Sequence, residues 1–520
     1  DFACLHYEQA NYDETHSLLM RAMPLSRVLV GKEHPVTQRI LQMMGRLHGT
    51  LADFQQAHDS FETSQTLARN LYGIEHPNVF RASLCDCQVY LIQADFVQTH
   101  LRLEELREFE PLPSPVDAAN LRLLEGEYQL CLGRHKNALD LFMSGLSLLN
   151  ARYRVPSPLT IPPPPRRAVE QHLLCAWAAC RVGNALIEWE RWSDAEIILA
   201  AARDVFGAFD TRRAHPQLAD ILWRHALCLH RLKRNKADLG NSNAIATTGK
   251  LIKYQTEIFV DADGRERARA KTFRRIDRIE NDVCRDEFIL AKQIIDDSLG
   301  PEHPRFADIA CALAEFHSKG GLDLWSKRLY EQACSVRRKL LGRVHPMTAS
   351  ALVGLSKTYS DMSQWEKMRD CALDARWIWE QLSIPSSQNK TTNQKKVREQ
   401  IEEQPQAQKC EQTIAQHLQF HPYRYRAQYA AAVALGRAGG DSMATGIQTM
   451  IQVLQSMEQH GVAWTQLYQD ALFEKETLMF REKSLRRYPT HGDDPHDLVK
   501  EGSAPIVEHT HTYYRHRTTR

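Results

Sequence analysis

A chain of 520 residues is too long for one simple core, and its make-up, 43% hydrophobic and 25% charged, is ordinary for a water-facing protein. Its 66 basic and 64 acidic side chains leave a net charge of +2, too weak a field to draw in nucleic acid or a membrane surface. Twelve scattered cysteines, of which only Cys85 and Cys87 are close, give neither a disulfide framework nor a zinc spacing, and no apolar run nears the ~20 residues of a membrane span.

Reduced thiols in a cytoplasmic setting fit this usage of cysteine. The chain opens inside a repeat, on Asp1 rather than a Met, and reads as a piece of a longer protein. Residues 1–150 read as N-terminal helical repeat units. Val30-Gly31-Lys32-Glu33-His34-Pro35 and Tyr72-Gly73-Ile74-Glu75-His76-Pro77 stand 42 residues apart, a period in the range of stacked helical repeats. Between them, Gly45, Ala57 twelve on, Phe61 four further and Ser64 three further set small residues where two antiparallel helices touch and an aromatic where a gap must be filled. Pro35 suits a first helical turn, and Gly73 a helix end where positive φ is cheap. Shifted back by 42, residues 1–30 supply one unit with a truncated first helix. Gly126, Ala138, Phe142 and Gly145 repeat the 12, 4, 3 spacing.

Residues 151–167 form a Pro-rich insertion, where Pro162, Pro165 and Arg167 fit the P-x-x-P-x-R pattern of an SH3-type ligand; a spacer loop is the plainer reading. Central units follow over 168–260, with Gly183, Ala195, Leu199 and Ala202 in register and a weakly patterned second helix over Lys236 to Ile258. Residues 261–298 read as a charged helical segment with a degenerate unit, its second helix being Ile276 to Ser298. Arg265, Arg267, Arg269, Lys271, Arg274 and Arg275 make a basic surface there, in a run to Arg285 read first as a solvated helix and second as a face for an acidic partner. Residues 299–382 hold the two most regular units, again spaced by 42 from Gly300 to Gly342. A polar linker over 383–410 precedes a degenerate helical unit and cap over 411–488, closing on a helix from Val462 to Tyr488. The His-rich basic tail over 489–520 reads as flexible.

The repeated His-Pro pairs stand one repeat apart, each at a helix start, so they do not converge as zinc ligands. Asp261-Ala262-Asp263-Gly264 sets its glycine too early for a calcium loop, and no phosphate loop, nucleophile elbow or His-Glu-x-x-His is present. No catalytic, cofactor or metal residue is assigned. Candidate partner-binding positions, counted from the small-residue landmark of each first helix, are Arg39, Arg46, Arg81, Trp177, Asn184, Trp223 and Lys357. The two tryptophans read equally as packing between units and as peptide anchors.

The Leu/Tyr-Gly-x-x-His-Pro joint, with Leu329-Tyr330-Glu331-Gln332-Ala333, resembles the kinesin light chain subfamily of tetratricopeptide repeats over about two thirds of the chain. More loosely, Val205 to Leu232 and Leu299 to Leu382 are similar to the amyloid protein-binding protein 2 family. The resemblance implies an all-α, right-handed superhelical solenoid of about nine helix pairs whose concave groove holds a peptide or a subunit. It implies a non-enzymatic scaffold in a multi-protein complex, cytoplasmic and linked to microtubules, cytoskeleton or cilium. A substrate receptor of a cullin-RING ubiquitin ligase and a structural subunit of a large ciliary or cytoskeletal assembly are the alternatives.

Overall fold

In the computed structural model, the described residues are 2–109, 112, 114–153, 169–209, 215–238, 255–260, 266–271, 280–384, 405–438, 441–460 and 466–487. They form two units, Asp1–Ala434 and Leu435–Arg520. The first is a stack of antiparallel helix pairs: α1 (Phe2–Glu8) with α2 (Tyr12–Leu29), α3 (Pro35–Thr50) with α4 (Phe54–Tyr72), α5 (Pro77–Ile92) with α6 (Phe96–Arg107), and α7 (Pro115–Cys131) with α8 (His135–Tyr153). Then come α9 (Val169–Glu188) with α10 (Trp192–Phe209), α11 (Pro216–Asp238) with α12 (Glu280–Leu299), α13 (Pro304–Lys319) with α14 (Asp323–Leu340), and α15 (Pro346–Asp361) with α16 (Trp365–Leu382). Beyond them, α17 (Pro405–Gln419) precedes α18 (Pro422–Ala438), inside whose last turn the first unit ends. The second unit contains α19 (Asp441–Gln459) packed on α20 (Gln466–Arg487), with Leu478 of α20 filling the space that a Cβ on Gly436 would take.

Two features of the repeat make this stack. Within a pair, a Cβ on Gly45 would come within 2.7 Å of the Phe61 ring, and one on Gly126 within 2.6 Å of Phe142, so only glycine lets the aromatic of the second helix seat against the first. Phe61 and Phe142 are each 1% exposed, and burying such a ring stabilises by roughly 1.5–3 kcal/mol. Between pairs, Gly31, Gly73, Gly300 and Gly342 take φ of 84° to 99°, which ends one helix and turns the chain into the next. His34, His76, His303 and His345 are the N-caps that follow, each accepting through Nδ1 a hydrogen bond from the backbone N–H two residues on. Proline then occupies the first helical position in all four.

The solenoid of paired helices stands, but the purely helical reading needs one correction. Gln255–Val260 and Glu266–Lys271 pair as an antiparallel β-hairpin, β1 and β2, with Gln255 opposite Lys271 and Val260 opposite Glu266. Of the second helix expected over Lys236 to Ile258, the start belongs to α11, which runs on to Asp238, and the end to β1; residues 239–254 lie outside the described residues, and the second member of α11's pair is α12. Likewise Arg267, Arg269 and Lys271 lie on a strand, not on a solvated helix, while α12 is described from Glu280 and the expected start at Ile276 lies outside the described residues. The physical reason is legible. Thr256, Ile258 and Val260 are β-branched at every second position, and Asp263-Gly264 is a turn signal between the two runs.

Candidate protein-interaction face

The first helix of each pair touches the first helix of the next: α3 meets α5, α5 meets α7, and so on through α9, α11, α13 and α15. Close approach of these alternate helices sets them on the inner side of the stack's curve. Polar pairs run along this face from helix to helix. Arg46 of α3 lies 3.4 Å from Glu8 of α1 and 4.8 Å over the Tyr7 ring. Arg81 of α5 makes a fork on Asp117 of α7, at 3.0 and 2.9 Å. Arg181 of α9 pairs with Glu127 of α7, and Arg224 of α11 donates to Asn184 of α9 at 3.1 Å. Arg305 of α13 stands 3.8 Å from Asp220 of α11, and Arg231 of α11 pairs with Glu315 of α13.

Glu315 is a focal point of that face. Burial alone would raise its pKa, but Arg231 and Lys319, with Lys357 nearby, hold it down at about 2. Burial lowers Lys319 to about 8 although Glu315 opposes it. A carboxylate among three cations leaves the neighbourhood positive.

The predicted positions separate into two kinds. Arg39, Arg46, Arg81 and Lys357 are exposed. Trp177, Asn184 and Trp223 are half-buried. Trp177 packs on the core that joins α9 to its neighbours, and Arg181 lies 3.9 Å over its ring. Trp223 packs against Ala226, Phe288 and Leu313, with Arg224 at 4.3 Å over its ring. Both indoles thus join repeat to repeat, each with a guanidinium on its open face. Arg181, Arg224, Arg305 and Asp220 were not singled out from sequence. The available signal was an Arg one residue or one helical turn beyond each tryptophan. Pro162, Pro165 and Arg167 lie outside the described residues, as do Arg265, Arg274 and Arg275. Only the backbone of Arg267, Arg269 and Lys271 is described. Among the described residues no three His, Cys, Asp or Glu side chains come together as a metal site. Among them, too, no helix is long and apolar enough to cross a membrane.

Residues 1–36 match the tetratricopeptide repeat family. That match covers α1, α2 and the joint that follows them, the stretch where the first helix is shortest. Among curated proteins nothing matches. Among solved structures, a Rap protein complexed with competence and sporulation factor is similar at 9% identity over 86% of this chain and 98% of its own, with a TM-score of 0.47. The quorum sensor NprR from B. thuringiensis, in its apo form, is similar at 10% identity over 85% of this chain and 98% of its own, with a TM-score of 0.36. BtubC (BKLC) from P. vanneervenii is similar at 11% identity over 60% and 96%, with a TM-score of 0.31.

Proposed function

We propose that this chain is a non-enzymatic scaffold that holds an extended segment of a partner protein, rich in carboxylates, against the face lined by α3, α5, α7, α9, α11, α13 and α15. The observation that carries the reading is that Arg39, Arg46, Arg81 and Lys357 stand exposed on these helices. Repeat arrays offer extended surfaces of this kind, suited to a chain rather than to a small molecule. No cofactor enters this reading. The kinesin light chain likeness of the His-Pro joint supports a motor-linked adaptor within this class. A structural subunit is supported by a different observation: many charges on the inner face already satisfy one another across neighbouring repeats.

The test is affinity purification with mass spectrometry, comparing the intact chain with Arg39→Glu plus Lys357→Glu. Both side chains are exposed, so neither substitution opens the core. Partners held on this face should be recovered about tenfold less, the equivalent of roughly 1.4 kcal/mol. An unchanged partner list would remove the face from consideration. Trp177→Ala and Trp223→Ala are unsuitable probes, because each would open the joint between repeats as well as the face.

A further inference from the structure

Three of the His-Pro histidines share a second contact through the ring nitrogen that does not cap. His303 accepts the Arg305 N–H through Nδ1 at 3.1 Å, so the ring proton sits on Nε2, and Nε2 donates to the Thr50 carbonyl at 2.8 Å. Thr50 is the last residue of α3, and α3 stands five helix pairs before α13. His345 repeats the arrangement one pair further on. Its Nδ1 accepts the Met347 N–H at 3.1 Å, and its Nε2 donates at 3.1 Å to the carbonyl of Ile92, the last residue of α5. Both contacts span 253 residues. His421, which caps α18 by accepting the Tyr423 N–H at 3.1 Å, meets the Cys131 carbonyl at the end of α7. Gly133 leaves it room, since a Cβ there would lie 2.8 Å from Pro422 and 3.0 Å from His421. The three imidazoles are 8%, 4% and 4% exposed.

The start of one helix thus meets the end of another, five pairs earlier, three times in a row. A last-turn carbonyl has no helical partner of its own, and a capped imidazole has one N–H to give. We propose that His303, His345 and His421 are clasps that fasten one superhelical turn of the stack onto the turn before it, and that acid opens them.

The neighbours of each ring set the sign. His303 faces Arg305 of its own helix and, from α11, Asp220. His345 faces Arg337 of α14, which is itself held by Asp308 and the Met347 carbonyl. His421 faces His135 of α8 and Arg426 of its own helix, and stacks on Trp379 of α16 and on Tyr423. A second proton would sit on Nδ1, where the backbone N–H already points, and cations dominate these surroundings. Each ring is therefore kept neutral, to about pH 4, 4 and 3 in turn, with burial the main cause. An opened clasp exposes a histidine of ordinary pKa, about 6.5. Below that pH the opened form takes up protons that the closed form refuses. The open-to-closed ratio then rises up to about tenfold per pH unit for each histidine.

Asparagine separates the two duties, because its Oδ1 can still cap the helix while its short side chain falls far short of the opposite carbonyl. The experiment is small-angle X-ray scattering from pH 7.5 to 4.5 on the wild-type chain, on His303→Asn/His345→Asn/His421→Asn, and on His34→Asn/His76→Asn, with helicity followed by circular dichroism. The expected result is a radius of gyration that grows as the wild type is acidified, that is already enlarged in the triple variant at pH 7.5, and that is unchanged by the double variant, all at constant helicity. A triple variant that keeps its helices and scatters like the wild type at pH 7.5 overturns the proposal. So does acid expansion with the same midpoint in both. Should the triple variant fail to fold, His345→Asn is read alone by hydrogen exchange. Faster exchange across residues 90–98 supports the clasp, and unchanged exchange there overturns it.

Discussion

His34 and His76 in the early pairs and His303 and His345 in the later ones occupy the same motif, cap with the same nitrogen, and precede the same proline. They differ in surroundings. The early rings are half-buried, and His76 stacks on Tyr72 at 4.1 Å, while the later rings are buried against the carbonyl ends of α3 and α5. A repeat therefore fixes what a residue does within its own unit. What its remaining polar atom does depends on which unit has been wound beside it.

The widest separation between the two sets should appear under acid. For His303, His345 and His421 the folded pKa lies below the unfolded one, so the unfolded chain binds the proton first. Their stabilising contribution is complete above about pH 6.5 and is lost as pH falls toward 4, at roughly 1.4 kcal/mol per pH unit for each ring. His225 has the opposite sign. Burial works against its charge, but Glu287 at 2.7 Å and Glu196 overcome that and raise it to about 9. Its contribution is present below about pH 6.5 and is lost as pH rises through 9. Urea unfolding across pH should show both limbs. His225→Gln should flatten the alkaline one, and His345→Asn should reduce the acid one while leaving the alkaline one.

Next in size is a change to which the comparison should be blind. Phe61 of the early pairs and Tyr330 of the later ones each fill the space beside a glycine, Gly45 and Gly354. Phe61→Ala and Tyr330→Ala should each destabilise by about 3–5 kcal/mol in urea unfolding. A large difference between them would mean that one part of the stack contributes little to the measured transition.

The packing around Phe61 was legible from sequence because it is local. Gly45, Ala57 and Phe61 meet within one pair, so a fixed spacing reports a fixed contact. The β-hairpin was masked in the sequence, although Asp263-Gly264 and the alternation Thr256, Ile258, Val260 carry its signal, because helical repeats flank that short stretch on both sides. The repeat spacing sets Trp177 and Trp223 on the first helices of neighbouring pairs, but it does not report that both pack on core residues beneath Arg181 and Arg224. The clasps were beyond reach for a different reason. A contact over 253 residues depends on how many pairs complete a turn, and the hairpin insertion and the Pro-rich stretch both change the residue count without changing the number of pairs.

A third prediction isolates the second nitrogen. His34→Ala removes a cap and should cost about 1 kcal/mol. His303→Ala removes the cap and also leaves the Thr50 carbonyl unanswered in a buried site, adding roughly 1–3 kcal/mol. Equal losses in urea unfolding would show that the Thr50 contact contributes nothing.

The smallest effect is expected one residue away. Glu302 sits in the same joint as His303 and pairs with Lys339 of α14, but their side chains are 71% and 61% exposed. An ion pair so open to water gains little from its attraction and spends much of that gain on holding two long side chains still, so Glu302→Ala should cost no more than about 0.5 kcal/mol and less in high salt. Adjacent positions would then differ several-fold in a single urea series, with the larger loss at the residue that reaches across the turn. Were Glu302→Ala to match His303→Ala, the joint's surface charge rather than the buried imidazole would be holding the later turn in place.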